Sequence, residues 1–61
     1  MKKNYKVEWG YKRPFNELDI VCDESIAKEV AYAIYLGAEE AGCLILTDMS
    51  NGKSEILADC M

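Results

Sequence analysis

Three cysteines, Cys22, Cys43 and Cys60, and the adjacent carboxylates Glu39 and Glu40 are the groupings in this chain that invite a chemical reading. A thiolate is a nucleophile or a metal ligand only where something stabilises its charge. Cys22 precedes Asp23, a residue suited to cap a helix, and a helix N-terminus lowers a thiol pKa. No base or resolving cysteine lies near it in sequence, so an inert thiol is expected. The wide cysteine spacing and the absence of histidine leave no zinc ligand set, and no metal site is expected. An odd number of cysteines points to three free structural thiols, with a cross-strand pairing of Cys43 and Cys60 as the competing arrangement. Glu39 and Glu40 are helical neighbours that point about 100° apart, which suits a solvated face better than acid/base chemistry. The chain also lacks a glycine-rich phosphate loop and a Gly-x-Ser-x-Gly elbow. It is therefore expected to be non-enzymatic and to take no cofactor.

The elements that position these residues are legible from periodicity. Tyr5, Val7, Trp9 and Tyr11 alternate with Lys6, Glu8, Gly10 and Lys12, the period-two pattern of a half-buried strand. Residues 12–16 break the pattern at Pro14, which cannot donate to a ladder, and read as a hairpin connection. Leu18 to Cys22 resumes as a short second strand. A helix follows from an Asp23 cap to about Ala41, closed by Gly42 as its left-handed residue. Its core stripe is expected at Ile26, Val30, Ala33, Ile34, Gly37 and Ala41, widened by Ala27, Ala31 and Ala38. Two apolar runs, residues 43–48 and 56–60, flank Asn51-Gly52, a strong hairpin signal. A two-residue turn would pair Asp48 with Glu55, which is unfavourable, so a longer loop with a bulge at Gly52 stays open and the register is unassigned. The expected fold is α+β, a small antiparallel sheet of three or four strands packed on one long helix. The order is β-β-α-β-β, with β-α-β-β as fallback if residues 17–22 are irregular. At 61 residues the chain has room for one compact domain, 1–61.

Opposite the expected core stripe, the helix presents Lys28, Tyr32, Tyr35, Leu36 and Glu39, flanked by Glu29 and Glu40. Tyrosine is enriched where proteins bind proteins, because its ring supplies area and its hydroxyl a hydrogen bond. Tyr32, Tyr35, Leu36, Glu39 and Glu40 are therefore the candidate partner-binding residues. The competing reading lays one or both tyrosines over the sheet edge as a shield for the core. In the last hairpin, Cys43, Ile45, Thr47, Ile56 and Ala58 can share one face, and Leu44, Leu46 and Leu57 the other. One helix cannot cover both, so a homodimer is expected.

Charge is uneven along the chain. Residues 1–13 carry Lys2, Lys3, Lys6, Lys12 and Arg13 against Glu8, whereas from Pro14 onward only Lys28 and Lys53 oppose the remaining carboxylates, for a net charge of −4. Met1-Lys2-Lys3 leads into alternating residues and not into an apolar stretch, and no run is long enough to cross a bilayer, so a cytoplasmic protein without membrane contact is expected. In size, acidity and lack of enzyme signatures the chain resembles the small proteins that phages and mobile elements make to inhibit host nucleases, anti-CRISPR proteins among them. That resemblance covers no motif. It implies an acidic interaction protein that competes for the basic groove of a nucleic-acid enzyme through protein contacts. The alternative is a small homo-oligomeric nucleic-acid-binding domain that uses Lys6, Lys12 and Arg13 of the aromatic first hairpin. Alternation argues against it, because the aromatic rings then share the core face. A third reading is an oligomer holding a small ligand between aromatic side chains of adjacent subunits.

Overall fold

The computed structural model describes residues 2–38 and 41–58 of the chain. Its elements are β1 (Lys2–Gly10), β2 (Asn16–Asp23), α1 (Glu24–Gly37), β3 (Cys43–Asp48) and β4 (Lys53–Ala58). They form one antiparallel sheet in the order β2-β1-β3-β4, crossed on one face by α1. The expected α+β arrangement and its β-β-α-β-β order are thus observed. The second strand is regular and longer than expected. It pairs with β1 without interruption from Trp9 opposite Asn16 to Lys2 opposite Asp23.

Alternation along β1 does what the period-two pattern requires. Tyr5 and Val7 are buried beneath the helix and Trp9 packs against the same core, while Lys6 and Glu8 turn to the other face. Tyr11 departs from the expectation. The strand ends at Gly10 and leaves Tyr11 73% exposed in the connection, because the chain must turn before Pro14, whose bond to Arg13 is cis. Val7, Ala27, Ala31, Leu44 and Leu46 join Tyr5 in the buried cluster.

Three features of α1 differ from the sequence reading. Asp23 occupies the N-cap position with extended backbone angles, yet its side chain makes no capping hydrogen bond, since the residue also ends β2. The helix stops at Gly37, not near Ala41. Ala38 leaves helical space and its N–H donates to the Tyr35 carbonyl at 3.2 Å. Gly42 is consequently no helix cap; its N–H donates to the Gly10 carbonyl at 3.0 Å and aligns β3 beside β1. The third difference is rotation. Ala27 and Ala31 are the buried helix residues, with Ile34 and Tyr35 packed beside them, while Ile26 and Ala33 are exposed and Val30 is half-buried. At about 100° per residue the buried line is therefore turned roughly a quarter of a revolution from the expected stripe. Small side chains let the helix lie close on the sheet.

The β3–β4 connection resolves the open register. Asp48 lies opposite Lys53, not Glu55, so the turn spans residues 49–52 and opposite charges face each other. Gly52 takes a positive φ of 73° and donates its N–H to the Asp48 carbonyl at 2.8 Å. Asn51 secures the exit by accepting the Lys53 N–H at 2.9 Å. The irregularity lies between Leu44 and Ile45, not at Gly52, and skips Leu57, so Ala58 faces Leu44 while Ile56 faces Ile45. Ala58 thus joins Leu44 and Leu46 on the helix side, contrary to its expected grouping with Ile56.

Cys22 is a free thiol, half-buried against the core. Cys43 is fully buried and disulfide-bonded, which corrects the expectation of three free thiols. Cys60 lies outside the described residues. No described helix is long and apolar enough to cross a membrane.

Candidate protein-binding surface

The outward side of α1 follows from which residues its inner side spends on packing. With Ala27 and Ala31 against the sheet, Lys28 and Tyr32 flank β4. The Lys28 ammonium lies 3.2 Å from the Glu55 carboxylate. The Tyr32 hydroxyl donates to the Leu57 carbonyl across a long 3.4 Å. Ile26, Val30, Ala33 and Gly37 fall by the same angular count on the opposite flank, toward β2, where Leu18 is also exposed. That flank is mostly apolar, with the exposed Glu29 at its outer margin, one turn from Ile26 and Ala33.

The three described members of the candidate partner-binding set, Tyr32, Tyr35 and Leu36, do not all face outward. Tyr35 packs against the core, and its expected outward position is corrected by the rotation of the helix. Tyr32 stays 41% exposed at the β4 edge and Leu36 is 79% exposed at the summit of the helix. Glu39 and Glu40 lie outside the described residues. Tyr32 therefore combines the two readings offered for it, one ring edge over the sheet margin and the rest in solvent.

The basic hairpin is also divided by the sheet. Lys6 sits on the face away from α1 and pairs with Glu17 at 3.4 Å. Lys12 and Arg13 are exposed in the connection, the Arg13 guanidinium 5.7 Å from the centre of the Phe15 ring. Tyr5 and Trp9 belong to the core, as the alternation implied, so the aromatics of β1 are not available as a stacking platform together with Tyr11.

Polar groups cluster where α1 starts. Lys3 lies 3.7 Å from Asp48 and 4.0 Å from Glu24, tying β1 to the first helical turn and to the end of β3. The Ser50 hydroxyl and backbone N–H both donate to Asp48 Oδ1, at 2.6 and 2.9 Å, and hold its carboxyl below the ordinary range. Among the described residues the buried Tyr5 hydroxyl has no hydrogen-bond partner, and burial pushes its pKa up while nearby Lys3 pulls the other way. No described group of histidine, cysteine, aspartate or glutamate is placed to hold a metal ion.

Fold and surface together define a small α+β protein with a helix-bearing face and, among the described residues, a second sheet face that no helix covers. No protein-family model, curated protein or solved structure matches the chain. Sequence reasoning missed the exposed flank at Ile26, Val30 and Ala33, because a helical wheel locates an apolar stripe but not the angle at which small residues seat the helix.

Proposed function

We propose that this chain is a non-enzymatic interaction protein that binds a protein partner through the outward side of α1. The observation that carries this reading is an inversion of size and burial. The helix buries Ala27 and Ala31 while leaving Leu36 79% and Ile26 43% exposed. Burying a leucine or isoleucine stabilises a fold by about 1.5–3 kcal/mol, far more than an alanine can contribute. Folding alone gives no reason to hold the large side chains in water, and a partner that covers them does. Acidity of the chain suits a basic surface on that partner, such as the nucleic-acid groove of an enzyme, in the manner of an inhibitor made by a phage or mobile element.

The test is a pull-down from lysate of a phage-susceptible host with the tagged parent and its Leu36→Glu variant, followed by a salt titration of any captured protein. A specific partner should be retained by the parent and lost by the variant. Retention of the same partner by both would sink the reading. Exposure of Tyr11 beside Lys12 and Arg13 favours a second reading, single-stranded nucleic-acid binding at the hairpin tip. Fluorescence anisotropy with a labelled oligonucleotide separates the two, because only the second reading gives binding that Arg13→Ala weakens.

A further inference from the structure

On the side of the sheet turned away from α1, the connection between β1 and β2 borders an open groove of about 780 Å³. Ile45 and Ile56, paired across β3 and β4, supply an apolar floor in which Ile56 is 64% exposed. Phe15 supplies a wall. It reaches that position because Gly10 has no side chain; a Cβ there would lie 3.1 Å from Phe15 Cδ1. Arg13 rides over the Phe15 ring at the rim.

Charge in this groove is unbalanced at one point. Glu8 and Glu17 stand directly opposite each other on β1 and β2, an unfavourable pairing of like charges. Lys6 compensates Glu17 at 3.4 Å. Glu8 is half-buried on an inner strand and, among the described residues, no cation lies within ion-pair distance of it. A carboxylate beside an apolar floor, with a second carboxylate opposite and no counter-charge of its own, is complementary to an incoming cation.

We infer that this groove takes an extended basic segment of a partner protein, with one arginine or lysine reaching Glu8 while its methylenes lie on Ile45, Ile56 and Phe15. Such side chains rest an apolar stem on apolar surface and keep the charged head at a polar edge. A second copy of this chain is a poor occupant: Lys6 is held in a strand paired on both sides, and Lys12 and Arg13 lie in the connection that turns from β1 to β2, with Arg13 on the rim of this same groove, so neither offers an extended basic segment. Phosphate-bearing ligands are disfavoured by the unpaired carboxylate. The surface lies across the sheet from the outward side of α1 and goes beyond the helix reading without depending on it.

The experiment is an NMR titration of the ¹⁵N-labelled full chain with the capped pentapeptide Val-Thr-Arg-Val-Thr and with the same peptide carrying citrulline, a neutral isostere, in place of arginine. The parent should bind the arginine peptide about threefold tighter or more, in line with a partly screened ion pair, with shifts at Glu8, Phe15, Ile45 and Ile56. Glu8→Gln should abolish the preference while weakening the citrulline peptide little. Ile56→Ser should weaken both peptides alike. Leu36→Glu should leave both affinities unchanged, so that failure of the helix reading and failure of this one remain distinguishable. Equal affinity of the parent for the two peptides, a preference that survives Glu8→Gln, or shifts confined to α1 would each overturn the inference.

Discussion

Tyr5 and Asp48 illustrate how much a single side chain can report about this small core. The Tyr5 hydroxyl is buried and has no hydrogen-bond partner among the described residues, so removing it in Tyr5→Phe discards a desolvated polar group and keeps the ring. The melting temperature at neutral pH is expected to hold or rise, and a clear fall in a thermal scan would show that the hydroxyl has a partner. Burial also raises the folded pKa of Tyr5 above 10.0, its ordinary value. The neutral phenol is thus favoured in the fold, and its contribution is full below that value and lost as pH rises through the folded pKa. Tyr5→Phe should therefore flatten the alkaline limb of a stability–pH profile. Asp48 behaves with the opposite sign. Ser50 lowers its folded pKa below the ordinary 3.8, so its contribution is full above that value and lost as pH falls through the folded pKa. Urea midpoints measured along a descending pH series should fall less steeply for Asp48→Asn than for the parent, and Ser50→Ala should reproduce part of that flattening.

Helix α1 is the element whose two sides make opposite predictions. Ala31 has no exposed surface and sits where the helix presses on the sheet, so Ala31→Leu should cost about 1–3 kcal/mol through overpacking, measured by urea denaturation. Leu36→Ser, by contrast, should stay within about 0.5 kcal/mol of the parent, because a side chain exposed at the summit makes little contact within the chain. Tyr32→Ala belongs to the same side. It removes one long hydrogen bond to Leu57 and should leave the melting temperature nearly unchanged while speeding dissociation of a bound partner. Unfolding of the Tyr32 variant would place that ring in the core instead. The charge pair at Lys28 and Glu55 is half-exposed on both sides and is expected to add little to stability at physiological salt.

For the molecule as a whole, a sheet that among the described residues has a helix on one face and β2 and β4 as its edge strands poses the question of assembly. Of the two apolar faces from which the homodimer was proposed, the one away from α1 keeps Ile45 and Ile56 and loses Ala58 to the helix side. A second basis is the largely apolar flank of Ile26, Val30 and Ala33 beside edge strand β2. Light scattering at tens of micromolar should give twice the chain mass for the parent and a monomer for Ile26→Glu. A parent that scatters as a monomer ends the dimer proposal. The cysteines offer an independent test of the tertiary structure: in protein unfolded without reductant Cys22 should be alkylated, whereas Cys43 should resist until a reductant is added. Labelling of Cys43 without reductant would contradict the bonded state. Disulfides persist mainly in oxidising compartments, so the same measurement on protein taken from its native cell bears on the cytoplasmic placement expected from the sequence.

Local chemistry was enough to read the order of elements. The alternation of Tyr5, Val7 and Trp9, the break at Pro14, the Asp23 start of the helix and the Asn51-Gly52 turn depend on neighbours a few residues apart, and each of these appears where periodicity or turn propensity put it. Only the tertiary structure decided the rest, because those choices depend on partners distant in sequence. Which residues of α1 face the sheet was set by the close fit that Ala27 and Ala31 allow, not by the greatest apolar content. The β3–β4 register was set by Lys53 opposite Asp48, with a bulge that carries Ala58 to the helix side. Glu8 read as an ordinary outward residue of an alternating strand; its place opposite Glu17, above Ile45 and Ile56 and beside Phe15, exists only once β2, β3 and β4 have assembled around β1. A period of two assigns a side chain to a face, but only the neighbouring strands decide what that face holds.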